Sequence, residues 1–336
     1  MGDPAGIGPE IIVKALVKRS VYKQCKPVVV GDAGVIRQAV VFLNSTLKVN
    51  AISNIRDAKS KYGTIDVFDL ANFSLDVAYG KVSAEAGKAA FESIVKVIEL
   101  AKNGEVDATV TAPINKEAIN LAGFHFSGHT EIYAHYTGTK KYAMLLVHNN
   151  LRVIHVSTHV SLRQACDLAK KDRIMEVTRL LHDACRGFGI DEPKIAVAGL
   201  NPHSGDNGLF GWEEEKEITP AMKELQSEGF NVEGPVPPDT LFSKAIGGMY
   251  DGCVAMYHDQ GHIPFKVVGF NWNKTKKRLE VEGVNITLGL PIIRVSVDHG
   301  TAFEIAGKGI ASEKAMLTSI DYAIRMTKSN VKNKTL

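Results

Sequence analysis

Only four cysteines occur, Cys25, Cys166, Cys185 and Cys253, and none pairs with another at C-x-x-C spacing. That excludes a disulfide scaffold and a thiolate metal knuckle, leaving mostly buried, reduced thiols. No apolar run is long enough to cross a bilayer, and the opening residues hold no apolar signal segment. A soluble, cytoplasmic protein is therefore expected. Basic residues number 40 against 37 acidic ones, and the net charge of +3 gives no reason to expect a nucleic-acid partner. The dinucleotide fingerprint G-x-G-x-x-G and the P-loop are both missing, as is the metal pattern H-x-x-E-H. No internal repeat, low-complexity tract or long linker interrupts the chain.

What is present is an ordinary globular composition on a long chain. With 336 residues and 45% apolar content, the protein exceeds one usual compact core, which predicts two α/β lobes. Residues 27–32 and 65–68 read as buried strands with a helix over 35–42. The segment 83–102 is strongly helical, with Phe91, Ile94, Val95, Ile98 and Ala101 on one face and Asn103-Gly104 to end it. Residues 107–113 read as strand into loop, followed by a helix from about Asn115. This alternation predicts βαβ units and a mostly parallel sheet. Two apolar runs, 142–147 and 151–156, are joined by Asn149-Asn150, a hairpin signal that predicts an antiparallel arm or dimer contact. Helices are expected over 162–169, 172–188, 218–227 and 313–328, with a strand over 194–198. The opening loop Gly2-Asp3-Pro4-Ala5-Gly6-Ile7-Gly8-Pro9-Glu10 runs into a helix. It fits an anion cradle of backbone N–H groups and a plain tight turn equally well.

The densest chemistry lies between Tyr257 and Arg294. His159, His203 and His258 share a position type, each coming after an apolar strand-like run. A parallel sheet gathers strand ends on one edge, where ligands bind. Three imidazoles with an open position suit Zn²⁺, Co²⁺ or a similar ion acting as a Lewis acid. Taken singly, each would be a hydrogen-bonded structural histidine; their equivalence points to a site. His125, His135, His148, His155 and His182 lack that context and read as structural, while His262 fits either role. Lys266, Asn285 and Arg294 form a second set, whose ammonium, carboxamide and guanidinium suit an anionic substrate. Arg294 follows the apolar run 290–293 and is expected at a strand end. Lys274, Lys276, Lys277 and Arg278 read as solvated cations of a polar insert, an exposed loop or hairpin. A third feature, residues 298–311, has two glycine turns and small residues that permit close approach by a flat ligand. It fits a plain connection to the last helix equally well.

These residues resemble a known family. Gly2 to Glu10, Gly128-His129-Thr130-Glu131, Asn201-Pro202-His203, Tyr257-His258-Asp259-Gln260-Gly261 and residues 283–294 are similar to the 4-hydroxythreonine-4-phosphate dehydrogenase family of pyridoxal phosphate biosynthesis. The resemblance covers essentially the whole chain. It implies an isocitrate/isopropylmalate dehydrogenase-like α/β fold of two α/β/α lobes, not a Rossmann domain, in a homodimer with shared active sites. The lobes would be 1–127 with 299–336, carrying the nucleotide loop, and 128–298, carrying the metal and substrate residues and the dimer contacts. The resemblance further implies metal ligands at His159, His203 and His258, the last serving the neighbouring subunit. It puts substrate contacts at His129, Thr130, Lys266, Asn285 and Arg294. His299, Gly300, Thr301, Ala302 and Glu304 would line an adenosine-binding loop, making NAD the cofactor beside one divalent ion (Zn, Co, Mg or Mn). The implied reaction removes a hydride and a proton from a hydroxyl, and the β-keto acid formed then loses CO₂. Asp259 and Lys266 are the candidates for proton transfer.

Two departures from the biosynthetic pattern bear on the substrate. His262-Ile263-Pro264-Phe265 replaces a more apolar Leu-Pro-Val-Leu type of segment, and the insert 271–282 is long. Both look more like the paralogous branch that oxidises D-threonate or D-erythronate 4-phosphate in sugar-acid catabolism. The biosynthetic substrate is the alternative, and a metal-dependent sugar-phosphate isomerase or aldolase is the alternative of another class. A catalytically silent binding protein would show affinity without turnover.

Overall fold

The computed structural model describes residues 1–74, 78–273 and 278–334. Among them the strands are β1 (Val28–Gly31), β2 (Lys48–Ile52), β3 (Thr64–Asp69), β4 (Ala108–Thr111), β5 (Ala143–His148), β6 (Leu151–His155) and β7 (Ile195–Ala198), then β8 (Val232–Val236), β9 (Gly252–Ala255), β10 (Phe270–Asn273), β11 (Arg278–Val281), β12 (Val284–Leu288) and β13 (Ile293–Val297). The helices are α1 (Gly8–Leu16), α2 (Arg19–Gln24), α3 (Ala33–Phe42), α4 (Ala84–Lys102), α5 (Lys116–Leu121) and α6 (His129–Thr137), then α7 (Leu162–Leu168), α8 (Lys171–Gly187), α9 (Thr219–Ser227), α10 (Pro238–Ile246), α11 (His258–Gly269) and α12 (Lys314–Lys334). No described helix is long and apolar enough to cross a membrane. All four cysteines are free; Cys185 and Cys253 are buried, and Cys25 and Cys166 are partly so.

The chain divides into two compact units, residues 1–140 with 290–327, and 141–289 with 328–336. In the first, β1 and β2 flank β3 in a three-stranded parallel sheet, and β13 runs parallel to β4. The β-branched runs of β1 and β3 supply Val29, Ile65 and Val67 to a core completed by Ile11, Val13 and Ile36. The apolar stripe of α4 buries Phe91, Ile94 and Ile98 in a second cluster with Ile119, Ile132 and Tyr133. Ser83 caps that helix by accepting from the Ala86 N–H at 3.1 Å, a contact worth about 1 kcal/mol. The sequence puts α6 and β13 in the second lobe, but α6 packs on α4 and β13 lies beside β4, so both belong to the first unit.

Close packing of α4 on α5 depends on Gly87. A Cβ at that position would stand 2.0 Å from the Ala118 carbonyl oxygen and 2.6 Å from the Ile119 nitrogen. Backbone cannot swing aside as a side chain can. Gly87→Ala is therefore expected to destabilise the protein by roughly 3 kcal/mol, read as a lower midpoint in urea unfolding. An unchanged midpoint would contradict that packing.

In the second unit the strand order is β12-β5-β6-β9-β7-β8. The β12, β5 and β6 strands pair antiparallel, whereas β6, β9, β7 and β8 pair parallel. The β5–β6 hairpin is therefore not the projecting arm expected from its turn. Leu145, Leu146, Val147, Val153 and Ile154 are fully buried, and runs apolar on both faces belong inside a covered sheet. The parallel run places the carboxyl ends of β6, β9 and β7 along one edge. The segments leaving those ends carry His159, His258 and His203. The insert is a hairpin, with β10 and β11 pairing antiparallel. Lys274, Lys276 and Lys277 lie outside the described residues, and the Arg278 side chain is likewise not described.

Candidate functional site

In the first unit, Arg294 is a buried cation among polar side chains. It is not at a strand end as expected: it is the second residue of β13, because the buried strand continues through Val295, Ser296 and Val297. Only 3% of the residue is exposed. Its Nη2 donates to Thr111 Oγ1 at 3.0 Å, and its guanidinium carbon lies 5.7 Å from the centre of the Tyr133 ring. Tyr133 donates to Thr109 Oγ1 at 3.1 Å, and Thr109 donates to the Ile293 carbonyl across β4 and β13 at 3.0 Å. Burial lowers the guanidinium to about 10, so it stays charged at neutral pH. His129 and Thr130 are the first two residues of α6, where the helix terminus favours an anion. Burial, then the Arg294 charge, holds His129 well below the ordinary histidine range, so its imidazole is neutral. His129 Nε2 is buried, with no hydrogen-bond partner among the described residues. A buried guanidinium beside an orphaned imidazole nitrogen suits one anionic oxygen group.

The opening loop is a turn and not a cradle. The Asp3 N–H donates to Pro113 O, the Gly6 N–H to Asp3 O and the Ile7 N–H to Thr301 O, while Ala5 N–H donates to Asp3 Oδ1. These four amides are spent within the loop or on Pro113 and Thr301. Burial raises the Asp3 carboxyl to about 6. The loop packs closely on the candidate nucleotide segment: a Cβ on Gly6 would stand 3.0 Å from Thr301 Cβ, and Gly80, which donates to the Ala5 carbonyl, leaves a Cβ only 2.5 Å from Phe303 O. Nearby, Glu10 accepts from the Gly309 and Ala311 N–H groups, and Lys14 donates to the carbonyls of the same two residues. Within residues 299–304, Gly300 faces open space, Ala302 is left-handed at φ 44°, and His299 contacts the Gly300 carbonyl through Nδ1. Burial lowers the His299 imidazole, which suits a neutral contact.

In the second unit the histidines form a column. His258 opens α11, and its ring lies 6.0 Å from that of the exposed His159. Asp259 Oδ1 is 2.7 Å from His258 Nδ1. A proton on Nδ1 donated to that carboxylate leaves Nε2 with a free lone pair, the arrangement in which metal-binding histidines are held. One turn on, His262 stacks on His258 at 3.7 Å and 10°. His262 Nδ1 lies 3.1 Å from His155 Nε2 and 3.0 Å from the His258 carbonyl. His155 fills the space above Gly261, where a Cβ would meet its Nε2 at 2.3 Å. Lys266 is exposed in the last turn of α11, with its ammonium 5.4 Å from the Phe270 ring centre. Asn285 is half-buried on β12 opposite Leu146. His203 is exposed on the loop after β7, and its ring neighbour is Phe210 at 6.2 Å.

The donor chemistry fits a borderline divalent ion, since imidazoles oriented by a carboxylate are good ligands for one. The structure brings His159 and His258 together. Among the described residues, however, no group of three or more metal-ligating side chains is ready to hold an ion within one chain. Sequence alone does not single out Thr111, Tyr133, His155 or Glu10 as site residues, and it leaves His262 open. For the histidines a signal exists: His155 and His159, and His258 and His262, are each four apart.

Burial, then the neighbouring His262, lowers His155 to about 3. The unfolded chain takes up a proton near pH 6.5 that the folded one refuses until about pH 3. Stability is thus intact above pH 6.5 and falls as pH drops through that window, by about 1.4 kcal/mol per pH unit. His155→Leu is expected to lose less melting temperature than wild type between pH 7 and pH 5. Parallel losses would contradict a neutral, buried His155.

Comparison with known proteins places the chain as a whole. The family described as pyridoxal phosphate biosynthetic protein PdxA matches residues 23–323. The chain is 47% identical over 321 residues to a D-threonate 4-phosphate dehydrogenase of Cupriavidus necator, covering 95% of this chain and 93% of that one. A crystal structure of a 4-hydroxythreonine-4-phosphate dehydrogenase from Burkholderia phymatum superposes with a TM-score of 0.81 at 45% identity, covering 97% and 96% of the two chains. The corresponding enzyme of Klebsiella pneumoniae superposes with a TM-score of 0.83 at 44% identity, covering 97% and 98%. The mixed α/β fold expected from the sequence is the one these structures share. By fold and by sequence over nearly its whole length, the chain belongs to the pyridoxal phosphate biosynthetic protein PdxA family.

Proposed function

We propose that the protein is a cytoplasmic, NAD- and divalent-metal-dependent dehydrogenase of a 4-phosphorylated C4 hydroxy acid, with D-threonate or D-erythronate 4-phosphate as substrate and CO₂ lost from the β-keto acid formed. The observation that carries this reading is the near-full-length likeness to a D-threonate 4-phosphate dehydrogenase. The buried, charged Arg294 beside a neutral His129 supports an anionic substrate.

His159, His203 and His258 would hold the divalent ion, whose Lewis acidity makes the substrate hydroxyl easier to deprotonate. His258 would serve the neighbouring subunit of a homodimer with shared active sites. Residues His299, Gly300, Thr301, Ala302 and Glu304 would hold NAD, which supplies the hydride acceptor. Arg294 takes a substrate oxyanion through its planar fork, with His129 and Thr130 at the N-terminus of α6 completing the polar contacts. Lys266 and Asn285 make further substrate contacts. Asp259 keeps the proton on His258 Nδ1, so its Nε2 lone pair stays available. That leaves Lys266 the better placed of the two candidates for moving a proton.

The names of the solved relatives favour 4-hydroxy-L-threonine 4-phosphate as the second reading. Following NADH absorbance with this compound, D-threonate 4-phosphate and D-erythronate 4-phosphate separates the two. A kcat/KM highest for a 2-hydroxy acid is expected. One highest for the 2-amino acid would establish the biosynthetic reading instead. Substrate consumption without NADH would point to an isomerase or aldolase.

A further inference from the structure

The loop that follows β7 holds His203 in a backbone it would not adopt unaided. His203 (φ 53°), Ser204 (φ 55°), Asp206 (φ 42°) and Asn207 (φ 56°) are all left-handed, with Gly205 (φ 81°) among them. Residues with side chains enter that region only at a cost, and such strain persists only where the surroundings over-determine it. Prominent among the surroundings is one buried carboxylate. Glu214 is 3% exposed and begins the π-helical turn Glu214–Ile218, a rare geometry that recurs at functional sites.

Each oxygen of Glu214 is engaged with this loop. Oε1 accepts from the backbone N–H groups of Leu200 and Asn201, both at 2.7 Å. Oε2 accepts from Asn201 Nδ2 at 2.9 Å, and the same amide donates to Glu213 Oε2 at 2.8 Å. Beyond His203, a Cβ on Gly205 would stand 2.7 Å from Glu214 Oε2. The carboxylate therefore grips the chain two residues before His203 and lies against it two residues after. A neutral amide cannot replace it in full, because its NH₂ would face donors already aimed at that oxygen.

We propose that Glu214 is a positioning residue that fixes the left-handed His203 loop and so presents the His203 imidazole for the divalent ion. This rests on His203 being a metal ligand. It adds a residue that touches neither substrate nor ion. A purely structural role would lower the melting temperature alone; a positioning role weakens metal binding in a protein that is still folded.

The test is calorimetric titration of metal-stripped, full-length protein with Zn²⁺, alongside melting curves and amide exchange over residues 200–206. Glu214→Gln is expected to weaken Zn²⁺ binding about 10–100-fold and to speed exchange in that loop, with Glu214→Asp intermediate. His203→Ala combined with Glu214→Gln should bind no more weakly than His203→Ala alone. If Glu214→Gln does not fold, Glu214→Asp carries the same comparison. Wild-type Zn²⁺ affinity in a folded Glu214 variant, with affinity lost in His203→Ala, would overturn the inference and leave the metal reading standing. Wild-type affinity in His203→Ala would remove the metal reading and this inference with it.

Discussion

Arg294→Met is expected to lower kcat/KM for the phosphorylated acid by about 10²–10³-fold, mostly through KM. The magnitude follows from burial. Removing one member of a desolvated, hydrogen-bonded charge pair costs about 3–5 kcal/mol, and every 1.4 kcal/mol is about tenfold. Methionine fills the space of the aliphatic stem beside the Tyr133 ring, so the fold of β13 survives. His129 cannot compensate, because burial keeps its imidazole neutral. Arg294→Lys should recover little, since an ammonium cannot donate to Thr111 Oγ1 and a substrate oxyanion with the same planar fork. A variant within threefold of wild type would mean that Arg294 is structural. Steady-state kinetics at fixed NAD⁺ decide it.

His203→Ala is expected to abolish metal-dependent NADH formation while leaving the melting temperature of the metal-free protein within a few degrees. The residue is exposed and its ring neighbour is Phe210, so little packing is lost with it. What is lost is one of three imidazole donors, and a site left with two holds its ion too weakly to acidify a hydroxyl at neutral pH. Full turnover by this variant would remove His203 from the site.

Periodic elements were the most legible part of the sequence. The α4 stripe of Phe91, Ile94 and Ile98, the Ser83 cap and the all-apolar runs of β7 and β9 each say locally what the fold needs. The β5–β6 hairpin was legible as a hairpin, but its place in the sheet depends on β12 and β9, which lie far along the chain. Helix α11 is hidden by Gly261 and Pro264. Gly261 is there because the His155 ring occupies the space its side chain would need, a constraint no helical pattern contains. Arg294 looked like the end of an apolar run, yet Val295 to Val297 continue the strand past it. From sequence His155 reads as structural and His262 fits either role, although their four-residue spacings from His159 and His258 stand in the sequence. Glu214 sits in the run Glu213-Glu214-Glu215, which looks like a solvated face, and only the fold turns its carboxylate inward onto Leu200 and Asn201.

Metal-dependent oxidation coupled to NAD⁺ is open to one direct measurement. Metal-stripped protein given NAD⁺ and D-threonate 4-phosphate should produce no NADH absorbance. Adding Zn²⁺ or Co²⁺ should start NADH formation, with CO₂ released in equal amount. NADH formed at full rate in the presence of chelator, or metal-replete protein that turns over none of the three phosphorylated acids, would contradict it.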